Sequence, residues 1–410
     1  MAKFPALRPS WVVLAASFAG MFGIWIPHAG FGVFIPSLST EFGWSRGAIS
    51  SVASLNLLLG GVLGFWVGAV NDRLGPRPIL AVGAALTGTG YLFASAINAL
   101  WQFYFLIGVL LGSSMSGLYL VPTAVVSRWF VENRGLALGI VLAGLNLAYV
   151  VGGPLSAVLI SAFGWRQAYL LLGGVVWLVA VPASFFTKNP PSGEASGNPA
   201  ARGTAAAFRS PAGATFREAL ADRRSWLLAA TWFLLGFANM MLAIHIVPYV
   251  KDQGVTLERA SLTLTIYGLS SIGGRLLFGA AADRLGTRPT YWFCLVLQLA
   301  TFLAVLTRPP VWILYLLIML FGLVSAGADT VVVKAAPEVF GVRAIGALMG
   351  FLSFGWRCGA ALGPAAAGFL YDATGSYTVA FGFGAGALAM TLASFTLGVS
   401  PHRRRADAAR

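Results

Sequence analysis

The feature that most limits what this chain can become is a succession of twelve apolar segments of membrane-spanning length, separated by charged or Gly/Pro-rich breaks. They fall at about 11–38, 46–70, 78–97, 101–127, 135–162, 166–186, 225–250, 258–281, 290–307, 310–335, 344–370 and 376–399. In hydrocarbon, such a run can satisfy its backbone hydrogen bonds only as a helix. The expected fold is therefore an all-α polytopic membrane protein of twelve transmembrane helices. Composition agrees, with 58% hydrophobic and 10% charged residues against about 25% charged in a soluble domain. Trp11 opens a segment long enough to cross the bilayer and no small-residue cleavage site follows, so the first span is expected to stay in the protein.

The charges orient the spans. With both termini in the cytoplasm, twenty of the 27 Lys and Arg residues fall on the inner side and five, Arg46, Arg166, Lys251, Arg259 and Arg308, on the outer side. Arg275 and Arg357 are left inside the membrane. This bias is the positive-inside pattern, and it accounts for the net charge of +14 without a nucleic-acid partner. The expectation is a monomer in a bacterial inner membrane, with the bilayer as its surroundings. Cys294 and Cys358 both lie in apolar segments, so neither a disulfide framework nor a metal site is expected. No nucleophile–base pair or phosphate-binding glycine loop points to an enzyme.

The chain is also duplicated. Gly68–Pro78, GAVNDRLGPRP, returns as GAAADRLGTRP at Gly279–Pro289, so that Asp283 follows Asp72 by 211 residues. A hydrophilic stretch at 188–224, rich in Ala, Gly, Ser, Pro and Arg, separates the copies and reads as a linker. The expected organisation is a six-helix bundle over 1–187, the linker, a second six-helix bundle over 225–400, and a basic tail at 401–410. Two parallel-related six-helix units are the arrangement of secondary transporters whose site lies between the halves near the bilayer midplane. The repeated turns place Asp72, Arg73 and Arg77, and Asp283, Arg284 and Arg288, where they can form a latch that breaks as the halves rock.

Arg275 is the most informative single residue. It precedes Asp283 by eight positions, about 12 Å of helix, which sets it near the middle of a hydrocarbon core about 30 Å thick. A guanidinium there is costly by at least ~2.5–3.5 kcal/mol and calls for an anionic partner, either a bound ligand or a fixed internal acid. Asp329 is the intramembrane acid, and either carries a proton or pairs with Lys334 or Arg343. Arg357 is the second intramembrane cation, and either clamps a second carboxylate or is neutralised by Asp329, the arrangement favoured here. His28 and His245 lie in the pseudo-equivalent first and seventh spans and titrate in the useful range. His28 is expected to approach substrate and His245 to lie nearer the outer end. Tyr119, Asn146 and Tyr149 offer polar groups at matching depth.

The paired turns resemble the loop signature of the major facilitator superfamily. A narrower resemblance, carried by Phe31–Ser50, Ser127–Gly144, His245–Gly254, Gly273–Gly286 and Gly363–Tyr377, is to the monocarboxylate transporters and their oxalate–formate exchanger relatives. It implies that Arg275 holds a substrate carboxylate. Ser271 stands where animal members carry an aspartate, and His28 where they carry a lysine, so the family's proton relay cannot be carried across unchanged. The function implied is symport of a small lactate- or pyruvate-like monocarboxylate with a proton, by alternating access and with no other cofactor. A dicarboxylate/monocarboxylate exchanger and a non-transporting membrane sensor are the alternatives.

Overall fold

The computed structural model describes residues 9–130, 134–190, 215–340 and 345–399. Among them, every regular element is a helix. The first span, α1, is Pro9–Phe42, interrupted at Gly30 into Pro9–Ala29 and Phe31–Phe42. Then follow α2 (Arg46–Leu74), α3 (Pro76–Ala94) and α4 (Leu100–Trp129), the last with a π-helical stretch at Tyr104–Leu110. The continuous stretch Arg134–Phe186 breaks at Gly164 into α5 (134–163) and α6 (165–186). After a short helical turn at Phe216–Ala221 come α7 (Arg223–Lys251), α8 (Leu257–Leu285) and α9 (Thr287–Leu306). The last three helices among the described residues are α10 (Val311–Phe340), α11 (Ile345–Thr374) and α12 (Tyr377–Gly398).

Among the described residues, twelve long helices thus occupy the twelve expected positions. By length and hydropathy alone, α3, α8 and α11 fall short of the other spans. In α8 and α11 the reason is visible in the sequence, because they carry Arg275 and Arg357 among glycines, serines and threonines. Asp329, by contrast, lies on α10, the most hydrophobic of the spans at a mean hydropathy of 2.3.

The duplication is written into the backbone. Among the described residues, all six glycines with positive φ form three pairs at the same 211-residue spacing: Gly43 and Gly254, Gly75 and Gly286, Gly164 and Gly375. Each ends a helix in a conformation that a side chain disfavours. The caps repeat as well. The Ser45 hydroxyl accepts from the Ala48 amide at the start of α2, and its counterpart Thr256 accepts from Arg259 at the start of α8.

Two apolar cores sit on either side of the middle of the molecule. One gathers α1 to α6, with Phe34 stacked on Tyr169 at 4.0 Å between ring centroids. The other gathers α7 to α12 around Phe302, Phe321, Phe381 and Tyr291, with Val33 and Ala157 of the first half joining it. Where helices cross, small residues let backbones meet, as is usual when lipid offers no hydrophobic incentive to associate. A Cβ on Gly274 of α8 would stand 1.9 Å from the Leu323 carbonyl oxygen of α10, and one on Gly322 would stand 2.8 Å from the Tyr267 carbonyl. That contact aligns α8 with α10 and sets the site described next.

Candidate substrate site between the halves

Arg275 on α8 and Asp329 on α10 share the centre of the second half, where Arg275 is the charged group acting on the Asp329 carboxylate. Both residues are half-buried. Arg275 Nε is buried and has no hydrogen-bond partner. A buried donor left unmade costs about 1–3 kcal/mol, more when it belongs to a charged group. A planar acceptor that takes Nε and a terminal nitrogen together removes that cost, and a carboxylate has that shape.

The flanking polar groups follow helical spacing. Tyr267, Ser271 and Arg275 lie four residues apart and so share one face of α8. Ser271 is 3% exposed and its hydroxyl donates to the Gly322 carbonyl at 3.3 Å, so it serves the α8–α10 contact. The Ser271 and Ser325 hydroxyls flank the Tyr267 phenol, and the charges of Asp329 and Arg275 both reach it. From the first half, Tyr149 of α5 meets Tyr267 edge-on, with centroids 6.0 Å apart and planes at 69°. Asn146 is buried and its carbonyl faces Gly268, 3.1 Å from where a Cβ would stand. Tyr267 was not among the residues singled out from the sequence, although its i−4 and i−8 spacing to Ser271 and Arg275 marks it.

Arg357 takes a different place from the one expected of it. Its side chain crosses to the first half and lies over α2, where a Cβ on Gly61 would stand 2.8 Å from Arg357 Cδ. The group that acts on it electrostatically is Tyr119 of α4. The cation whose charge acts on Asp329 is thus Arg275, in place of the expected Arg357. The cause is the packing: the α8–α10 glycine contacts bring Asp329 to Arg275, while α11 presents Arg357 to α2. Lys334, offered as another partner for Asp329, is taken by Asp283 at 2.6 Å. Arg343 lies outside the described residues.

The two histidines differ sharply. His28 is half-buried and meets Trp25 edge-on at 4.8 Å. Trp25 packs in the same cluster as Tyr119 and Leu145, and its indole Nε1 is buried without a partner. His245 is 0% exposed and both ring nitrogens are engaged, Nε2 with the Pro364 carbonyl at 2.9 Å and Nδ1 with the Tyr377 hydroxyl at 3.0 Å. A carbonyl only accepts, so Nε2 carries the proton and Nδ1 accepts from Tyr377.

Tyr377 leads to a network that joins the halves. Arg46, at the start of α2, grips Asp252 of the second half through two bonds of 2.7 and 2.8 Å and donates to Tyr377 at 3.0 Å. Its guanidinium lies 4.0 Å above the Tyr371 ring. Asp372, at the end of α11, accepts from the backbone amides of Arg46 and Gly47 at 2.9 and 2.7 Å, capping α2 from the opposite half. On the same face Ser161 of α5 donates to Glu258 of α8, and deeper down Thr265 donates to the Val150 carbonyl at 2.7 Å. We refer to this end of the bundle as the Arg46 face.

The opposite end carries the repeated Asp-Arg turns. Asp283 pairs there with Lys334 of its own half, while Arg73, Arg77 and Arg284 are exposed and Arg288 is half-buried. The side chain of Asp72 lies outside the described residues. Sequence reasoning therefore pointed to a latch on this face, whereas the charged contacts described between the halves are on the other. No loop motif announces Arg46, whose partners are 206 to 331 positions distant.

Twelve spanning helices among the described residues, in two duplicated halves with charged side chains at mid-depth, are the architecture of a polytopic membrane transporter. The Major Facilitator Superfamily model matches residues 13–273 and 246–410, and the chain belongs to that family. It is 27% identical to human monocarboxylate transporter 11 over 394 residues, covering 90% of this chain and 79% of the relative. Bovine monocarboxylate transporter 13 is 28% identical over 380 residues, covering 90% and 85%. An uncharacterised transporter of the same superfamily, YcxA of Bacillus subtilis, is 27% identical, covering 90% of each chain. The fold is similar to the crystal structure of a bacterial homologue of the human lysosomal transporter Spinster, with a TM-score of 0.71 at 15% identity, covering 97% of this chain and 96% of that one.

Proposed function

We propose that this chain is a secondary carrier of a short monocarboxylate of the lactate or pyruvate kind, moved together with a proton, with Arg275 as the carboxylate anchor. The observation that carries the reading is the buried, unpartnered Nε of Arg275 beside Asp329. Asp329 is the proton carrier in this scheme. With the acid ionised, it competes with the substrate for Arg275; once protonated, it leaves the guanidinium free for the substrate carboxylate. One intramembrane acid and one arginine then carry one anion and one proton as a neutral load. His28 approaches the substrate from α1, and Tyr119, Asn146 and Ser271 complete the polar lining or hold it in place. The relatives named as monocarboxylate transporters support the substrate class.

In this proposal, 1–187 and 225–400 rock about the site as two units joined by the 188–224 linker. The Arg46 face is external, and both termini, including the basic tail 401–410, are cytoplasmic. The protein works as a monomer in a bacterial inner membrane, with no cofactor beyond the proton. The Arg46 network closes the outer side, and the Asp72 and Asp283 turns with their arginines latch the inner side when the halves rock the other way. Arg357 carries the second reading, since a cation on the facing half offers a second carboxylate a place and makes exchange of a dicarboxylate possible.

Uptake of labelled lactate and labelled oxalate into proteoliposomes separates the two. Symport predicts that an inward proton gradient drives lactate accumulation into vesicles free of internal anion. Uptake that ignores the gradient and requires an internal carboxylate overturns symport in favour of exchange.

A further inference from the structure

The contact between α5 and α8 includes one pair of rings, Tyr149 and Tyr267. Along α8 from the Arg46 face, Leu264 meets Gly153, Thr265 bonds the Val150 carbonyl, and Gly268 meets Asn146 and Val150, all on α5. Tyr267 lies in this last turn and touches Tyr149. One turn further, Ser271 bonds to α10 of its own half, and one turn beyond that stands the unpartnered Arg275. Tyr267 therefore has the other half on one side and the Arg275–Asp329 pair on the other. Its ring is held in place by near-parallel stacking on Phe321, at 6.1 Å and 29°. The Ser271 and Ser325 hydroxyls, both turned to the Gly322 carbonyl, flank its phenol.

Resting on the carboxylate reading of Arg275, we propose that Tyr267, backed by Tyr149, is the wall that limits how long an acid the site accepts. Two helical turns separate Tyr267 from Arg275, about 12 Å along the axis. The arginine side chain leans toward the N-terminal end of its helix and so toward Tyr267. In this proposal the substrate lies between guanidinium and ring, a span that takes a carboxylate with a short tail. A longer tail meets the edge-on tyrosine pair, which moves only if α5 parts from α8. The same ring thus selects for size and registers, through Tyr149, whether the halves are together.

The test uses the full-length protein in proteoliposomes, with uptake of labelled lactate competed by straight-chain monocarboxylates of three, five and seven carbons. Tyr267→Ala should improve competition by the five- and seven-carbon acids relative to the three-carbon acid by roughly tenfold, the scale on which a pocket discriminates a methylene or two. Tyr149→Ala should shift the ratio the same way by a smaller factor, and Tyr267→Phe should keep the wild-type ratio because the wall is steric. An unchanged ratio in Tyr267→Ala with lactate uptake retained overturns the proposal, as does a Tyr267→Phe ratio equal to that of Tyr267→Ala. If Tyr267→Ala does not fold, Tyr267→Leu carries the same criterion. Arg275→Gln separates this proposal from the reading beneath it. Undiminished competition by all three acids in Arg275→Gln removes the carboxylate anchor, whereas a lost anchor with an unmoved length ratio in Tyr267→Ala removes only the wall.

Discussion

The two seams that join the halves, α2 with α11 and α5 with α8, are related by the duplication yet built from different chemistry. At the Arg46 end of the first, the Asp372 carboxylate accepts from the Gly47 amide; at the same end of the second, Ser161 donates to Glu258. Asp372 follows Ser161 by 211 residues, and Glu258 follows Gly47 by 211, so these are the same contact made twice. One copy is a capped helix end reinforced by an arginine clamp, and the other is a single bond from an exposed serine. The origin of the difference lies one turn away. In the first half, Glu41 is met by Trp165 and Arg166 of its own half. Its counterpart in the second half is Asp252, but Tyr377 stands in the place of Arg166. Asp252 therefore lacks that in-half cation and takes Arg46 from across the cleft. One cation differs between the copies, and the acid that is paired within its own half in the first copy is paired across the boundary in the second.

The seams also end on different arginines, and this gives the largest expected effect. Because the α5–α8 seam leads to Arg275 with Asp329 beside it, a double-mutant cycle of Arg275→Gln and Asp329→Asn should show a coupling of up to about 3 kcal/mol. The cycle of Asp329→Asn with Arg357→Gln should be additive to within about 0.5 kcal/mol. Thermal unfolding in detergent reads both, and coupling in the second cycle but not the first would reverse the assignment of partners.

Breaking the clamp comes next. Arg46 is 14% exposed and Asp252 33%, so water screens the pair in part, and Arg46→Ala should cost about 2 kcal/mol rather than the full penalty of an orphaned buried charge. Spin labels on the exposed Asn98 and Thr307 of the two halves should then move apart. Unchanged label distances would mean that Arg46 does not hold this face closed. A smaller wedge acts on the same seam. A Cβ on Gly47 would stand 2.4 Å from the Phe369 ring, so Gly47→Ala should cost about 1 kcal/mol or somewhat more through overpacking, with a partial version of the same label movement. A melting temperature indistinguishable from wild type would show that the ring yields freely.

Ser161→Ala on the weaker seam should change stability by no more than about 0.5 kcal/mol, since a solvent-exposed contact is largely replaced by water. A loss as large as that of Arg46→Ala would abolish the asymmetry between the seams.

Much of this was legible in the chain itself. The twelve apolar runs gave the helices, and the repeated Asp-Arg turns gave the offset at which the helix ends and caps recur. Arg275 stood out because a charge at that depth needs an explanation. The Arg46 clamp was not legible, because Arg46 reads as one outer loop cation among five and its acids belong to the other copy. The partner of Asp329 was misjudged for a related reason: charge counting along the chain gives the number of ions in the membrane, whereas the glycine faces of α8 and α10 decide which of them meet. Tyr267 had a spacing signal that went unused. Sequence periodicity says which residues share a helix face, and the packing of the helices says what that face meets.

The claim on which the rest depends is that Arg275 holds the substrate carboxylate. Binding of lactate and of oxalate to the purified protein in detergent, measured by titration calorimetry for wild type, Arg275→Lys and Arg357→Lys, tests it without relying on transport. Lysine keeps the charge and loses the two-pronged geometry, so Arg275→Lys should weaken binding of the acid taken by wild type by roughly tenfold to a hundredfold, while Arg357→Lys has the smaller effect. Wild-type affinity in Arg275→Lys, with loss confined to Arg357→Lys, would contradict the account and move the substrate to the α2–α11 seam.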